Sequence, residues 1–284
     1  MRSFPLGLID LDDARLAPEL AAVLACNVTS DAYSEFKLGS WRTVVLWNTS
    51  GQDGDGLIAS GDVPARPTPR AQPLGYLDEL IARTFDVSRL RLVRAHILED
   101  GVLIPHRDFL ELAPDEPRWC RLHLPIATTT ACLHSEEDTV FHMRRGEVWF
   151  LDASQTHSAC NNGTTPRVTL CLDFALGDRP IESLVADRHQ LRPTSPVVIA
   201  RDPLDRPFRA GIRDLARLIN RHNYREILNF LARVHFYKAV DINEFFAWIV
   251  EVASAAGDRE LTARLDGFGR FLRSDREMHE RYAL

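Results

Sequence analysis

The sequence predicts a mostly β protein with added α: a double-stranded β-helix, or jelly roll, with flanking helices and a C-terminal helical subdomain. Three observations predict it. Short apolar runs separated by turns recur from Leu90 to Phe174, as in a double-sheet fold. Two of those runs alternate residue by residue, the mark of strands with unlike faces. After Pro193-Thr194-Ser195-Pro196 the apolar spacing changes to that of helices.

Taken in order, Leu11 to about Leu24 is amphipathic and reads as a first helix, and Trp41 to Trp47 reads as a strand. Gly51 to Gln72 is rich in Gly, Pro, Asp and Ser and reads as a long loop, either a lid over a site or a surface insertion. A helix is expected over Leu74–Phe85, then strands to Phe174. Beyond the Pro-Ser segment, Leu215, Leu218 and Ile219, then Ile227, Leu228, Leu231 and Val234, then Phe245, Phe246, Ile249 and Val252 recur at helical spacing. Those stripes are core, and can also support a homodimer. The division is 1–195 for a jelly-roll domain with N-terminal helices and 196–284 for the helical subdomain.

Composition narrows the function. The chain has 284 residues, 45% of them hydrophobic, enough for a large core. Its formal net charge of −6 argues against a nucleic-acid or anionic-membrane binder. Five cysteines at irregular spacing, without a C-x-x-C pair, indicate neither a disulfide framework nor a zinc site. The start, Met1-Arg2-Ser3-Phe4-Pro5, lacks an apolar signal core, so a soluble cytoplasmic protein is expected.

The chemistry concentrates in a few residues. His106-Arg107-Asp108 at a strand end presents a histidine and a carboxylate on one face, and His157 follows the apolar run Val148-Trp149-Phe150-Leu151. Two imidazoles and one carboxylate occupy one face of an octahedral iron(II) and leave the other open for a co-substrate and dioxygen. His96, His123, His134 and His142 compete for the same role on pattern alone.

In Pro166–Phe174, Val168, Leu170, Leu172 and Phe174 share one face, and Arg167, Thr169, Cys171 and Asp173 the other. Arg167 and Thr169 together can clamp a carboxylate; the alternative is a surface arginine on an amphipathic strand. Arg121 and His123 likewise share a face opposite Leu122, Leu124 and Ile126. They line a pocket or meet solvent on a one-sided sheet, and pattern alone favours solvent.

Several stretches together carry a resemblance. Ile104-Pro105-His106-Arg107-Asp108-Phe109, Arg121-Leu122-His123-Leu124-Pro125, Phe141-His142-Met143 and Gly146-Glu147-Val148-Trp149-Phe150-Leu151-Asp152-Ala153, followed by His157 and Arg167, resemble the aspartyl/asparaginyl β-hydroxylase superfamily of 2-oxoglutarate-dependent dioxygenases. Within it they are most similar to bacterial free L-proline cis-hydroxylases. Ala32-Tyr33-Ser34-Glu35-Phe36, Gly39-Ser40-Trp41, Ser135-Glu136-Glu137-Asp138 and Asn223-Tyr224-Arg225-Glu226-Ile227 look similar to stretches of the proline cis-4-hydroxylases.

The resemblance implies Fe(II) held by His106, Asp108 and His157, with 2-oxoglutarate as co-substrate and O2 as oxidant. Arg167 would clamp the distal carboxylate of 2-oxoglutarate and His123 would sit near its metal-bound end. Arg121 would lie near a substrate carboxylate, with Arg94 or His96 reaching the substrate as well. Related halogenases carry a small residue at the carboxylate position, so Asp108 implies hydroxylation. The expected substrate is a free cyclic L-amino acid, L-proline or L-pipecolic acid. A hydroxylase of a peptide or carrier-bound substrate is the enzymatic alternative, and a non-catalytic jelly-roll metal sensor the other.

Overall fold

The computed structural model of the chain describes residues 1–27, 34–56, 58, 63–108, 119–187, 191–274 and 280–282. Its strands are β1 (Phe4–Leu8), β2 (Lys37–Asn48), β3 (Arg66–Pro67), β4 (Leu90–His106), β5 (Trp119–Ala127), β6 (Cys132–Glu136), β7 (Thr139–His142), β8 (Glu147–Phe150), β9 (His157–Asn161), β10 (Arg167–Ala175) and β11 (Val197–Val198), with a separate parallel pair of β12 (Asp202–Pro203) and β13 (Lys238–Ala239). The helices are α1 (Asp13–Ala25), α2 (Gly75–Thr84), α3 (Arg206–Asp214), α4 (Tyr224–Tyr237), α5 (Glu244–Ala255) and α6 (Arg259–Arg273). Asp12, Asp205 and Asp258 start α1, α3 and α6 by accepting from first-turn amides, as N-caps do.

The sheet runs in the order β1-β8-β5-β10-β4-β9-β6-β7-β11, with β2 on the other edge of β4 and β3 beside β2. The strands expected from Leu90 to Phe174 are β4 to β10, and the first of them is long, with 17 residues. β4 pairs with β10 through its first half and with β9 through its second, so the sheet turns along it and closes two layers around an interior. Gly39 and Gly101 face each other across β2 and β4, with φ of 103° and 133°. A Cβ on Gly101 would lie 2.2 Å from the Leu38 carbonyl oxygen, so the close approach of these strands requires glycine.

Alternation divides the faces. Val44 and Leu46 of β2, Val93, Ala95 and Ile97 of β4, Leu122, Leu124 and Ile126 of β5, and the four apolar residues expected of β10 pack outward against Leu16 and Val23 of α1 and Leu77, Leu80 and Ile81 of α2. The opposite face of β5 points inward, not to solvent: His123 is 6% exposed. A second core joins α3–α6 to Val102 and Ile104 of β4, Val140 of β7 and Cys160 of β9. One residue of the predicted helical stripes departs from it. Leu218 is 61% exposed, because the chain there is a single 3-10 turn over Leu215–Arg217 and its threefold period rotates Leu218 away from Ile219.

Asn48 gathers the following loop, donating to the carbonyls of Gln52 and Asp55 at 2.7 and 2.8 Å. The lid expected over 51–72 falls partly on residues 57 and 59–62, outside the described residues. Among the described residues no helix is long and apolar enough to cross a membrane.

Candidate active site

His106 ends β4 and His157 begins β9, and the two are direct cross-strand partners. Asp108 lies just beyond, its amide donating to the Ala153 carbonyl at 2.9 Å. One candidate donor atom from each residue lies within 4.8 Å of the others, and this is the one such group of His, Cys, Asp or Glu among the described residues that places three together. His106 Nδ1 is 2.6 Å from the Ile104 carbonyl and His157 Nδ1 is 3.0 Å from that of Gln155. A carbonyl can only accept, so each Nδ1 carries the proton and each Nε2 keeps a lone pair for a metal. Burial, then the neighbouring His106, pushes the His157 imidazole down to about 4, which keeps it a neutral ligand. Burial opposes ionisation of Asp108, yet the Arg121 guanidinium holds its carboxyl well below the usual carboxylate range. Two neutral imidazoles and one carboxylate fit a divalent iron.

The competing histidines stand elsewhere. His142 Nδ1 donates to the Cys132 carbonyl at 2.8 Å. His134, in contrast, faces the interior: its Nε2 accepts from Arg167 Nη2 at 2.8 Å. An arginine only donates, so this ring is neutral. Burial and then Arg167 push its pKa far down.

Arg167 is 7% exposed, and among the described residues no carboxylate pairs with it. Burial alone lowers it to about 10. A buried guanidinium facing only a neutral ring is a costly arrangement that an anion would relieve. Thr169, two residues along the same face, has a buried hydroxyl without a hydrogen-bond partner, and both ring nitrogens of His123 are equally unpartnered. The His123 and His134 rings are 5.8 Å apart, so Arg167, Thr169, His123 and His134 converge on one polar interior.

Register places the remaining predicted residues. Thr43, His96 and Thr169 form one row across β2, β4 and β10, and Arg94, Cys171 and His123 the next across β4, β10 and β5. His96 packs edge-on to Trp41 at 5.4 Å, and its Nε2 has no partner. Arg94 and Arg121 both reach Asp173: Arg94 Nη2 donates to Oδ2 at 2.8 Å and Arg121 Nε to Oδ1 at 2.7 Å. The Nη1 of Arg121 also donates to Asp108 Oδ2. Arg121 is therefore held between the Asp108 carboxylate and that of Asp173. Alternation alone sets Asp173 on the inward face without a role, and His134 is one of four competing histidines. The legible signal for both is a polar residue alternating with core residues inside a strand, which does not name its partner.

The profile of the aspartyl/asparaginyl beta-hydroxylases matches residues 13–176. The chain belongs to that family. A second profile, the C-terminal part of L-proline 3-hydroxylase, matches residues 182–280. The chain is 38% identical to an L-proline cis-3-hydroxylase of a Streptomyces species, over all of this chain and 99% of the relative. It is 37% identical to the L-proline cis-4-hydroxylase of Rhizobium meliloti over 97% of each. Among solved structures, AviO1 from Streptomyces viridochromogenes is 17% identical over 63% of this chain and 91% of its own, with a TM-score of 0.37. The match thus takes in both the β core that carries His106, Asp108 and His157 and the helices after it.

Proposed function

We propose that the protein hydroxylates a free cyclic L-amino acid, L-proline or L-pipecolic acid, with succinate and carbon dioxide as by-products. It is a 2-oxoglutarate-dependent dioxygenase that works with Fe(II) and O2. His106, Asp108 and His157 hold the metal, which when bound supplies the activation of dioxygen. Arg167 takes the distal carboxylate of 2-oxoglutarate with help from Thr169, and His123 donates to its metal-proximal end. Arg121 and Arg94 receive the amino-acid carboxylate, and His96 lines the same space. Residues 1–195 make the catalytic jelly roll, and 196–284 a helical subdomain that backs the metal end.

The observation that carries the reading is Arg167: a buried guanidinium that among the described residues has no carboxylate partner, on a strand whose neighbours β4 and β5 present further polar groups to the same interior. A protein that merely stored or sensed iron has no use for that charge. The full-length likeness to L-proline hydroxylases supports the substrate class, while the nearly equal identity to 3- and 4-hydroxylases leaves the carbon to the placement of a C–H bond before the metal. The test is an aerobic assay with Fe(II), 2-oxoglutarate and a panel of free amino acids that includes L-proline and L-pipecolate. Succinate that depends on one of them, with a product heavier by one oxygen, is expected. Turnover only with a peptide or carrier-bound substrate would replace the free-amino-acid reading.

A further inference from the structure

Building on the amino-acid hydroxylase reading, we propose that Asp173 is a positioning residue that joins amino-acid binding to the metal centre, by holding Arg94 and Arg121 as one carboxylate-binding pair and, through Arg121, orienting Asp108. Asp173 is 1% exposed on the inward face of β10 and accepts one arginine on each of its oxygens. Its two bonds fix the planes of both guanidiniums relative to one another, which two buried like charges would not adopt unaided. Arg121 then spans the gap: Nε on Asp173 and Nη1 on Asp108. A guanidinium has five N–H donors, so the bonds to Asp173 and Asp108 do not exhaust Arg121 as a donor to a third carboxylate.

Arg94 pairs with Asp173, and Arg121 with both Asp173 and Asp108, before any substrate enters. An amino-acid carboxylate arriving on the pair competes for the guanidinium that also steadies Asp108. Occupancy of the substrate site is thereby felt at a metal ligand through one side chain, without movement of a strand. Asp173 sets where that competition takes place.

The experiment compares wild type, Asp173→Asn and Arg94→Lys, measuring KM for the amino acid, KM for 2-oxoglutarate, Mn(II) affinity, and the ratio of succinate to hydroxylated product. Asn keeps the shape of Asp173 but sets an amide donor against one arginine. Asp173→Asn should raise the amino-acid KM by at least about tenfold while the 2-oxoglutarate KM stays near wild type. It should also form succinate in excess of hydroxylated product, because the metal centre no longer registers the substrate. Should Asp173→Asn not fold, Arg94→Lys decides, since it keeps the charge, loses the fork, and is expected to show the same split. An unchanged amino-acid KM with one succinate per product in a folded variant would overturn the proposal. A wild type that turns over no free amino acid would instead bring down the substrate reading first, and this inference with it.

Discussion

Among individual residues Arg167 says most. Arg167 keeps a guanidinium inside the protein opposite a neutral His134, and the anion that would settle it is not a side chain of the described residues. Arg167→Ala should therefore raise the KM for 2-oxoglutarate by about two orders of magnitude, the usual effect of removing one member of a buried charge pair. Mn(II) affinity should change little, and equal loss of both would mean that Arg167 supports the fold instead. In the sequence the resemblance, and not spacing, singles out His106, Asp108, His157 and Arg167, and the structure brings the first three within reach of one another. Asp173 and His134 were not legible in the sequence. An inward carboxylate reads like a surface one until its arginines arrive from β4 and β5, and His134 becomes significant only when β6 folds across from β10.

At the scale of elements, β4 does what a short strand could not. Its 17 residues belong to both layers and carry Arg94 and His96 in one and His106 at the end of the other. Gly101, inside this strand, lets β2 and β4 come together. Gly101→Ala would force a left-handed φ and a clash with Leu38, and should cost about 3 kcal/mol or more. A thermal midpoint within a degree of wild type would refute this.

The C-terminal helices meet the metal end through Glu137. Glu137 sits at φ 50°, a conformation that costs a non-glycine residue about 1 kcal/mol. It is held there by four hydrogen bonds: its amide donates to the Thr156 carbonyl, its carbonyl accepts from Ile242, and its carboxylate accepts from Thr156 and Asn243. Thr156 directly precedes His157, and its hydroxyl donates to Asn243 at 3.1 Å. From the other side, the amide of Arg107, between His106 and Asp108, donates to the Leu272 carbonyl of α6 at 3.0 Å. Asn243→Ala should lower stability by about 1–3 kcal/mol. It should weaken Mn(II) binding by less than about tenfold, since it acts on His157 only through Thr156. Calorimetry that shows lost stability with unaltered metal affinity would confine Asn243 to the fold.

For the whole molecule, the polar interior has a thermodynamic consequence. Burial, then Arg201, pushes His235 down to about 3, and His157 lies at about 4; His123 and His134 are held far below the ordinary value of 6.5. In the folded chain these rings stay neutral while the unfolded chain protonates them near 6.5, so between those values the unfolded state binds more protons. Stability is then complete above pH 6.5 and falls as pH drops, by up to about 1.4 kcal/mol per pH unit for each such ring. The thermal midpoint of the metal-free protein should decline steeply from pH 7 to pH 5, and a flat or rising profile would contradict the buried neutral histidines. The jelly roll and the helices behind it were legible from periodicity. The long-range registers that bring five strands to one interior were not, because periodicity states which way a residue faces and never what it faces.

In the function proposed above, one interior couples oxidation of 2-oxoglutarate to hydroxylation of a free cyclic amino acid. The stoichiometry of the wild-type enzyme under 18O2 tests it most directly, with succinate and product counted together by mass spectrometry. One succinate per hydroxylated L-proline or L-pipecolate is expected, with the new hydroxyl labelled. Succinate that forms at the same rate with and without an amino acid, and no labelled product, would contradict it.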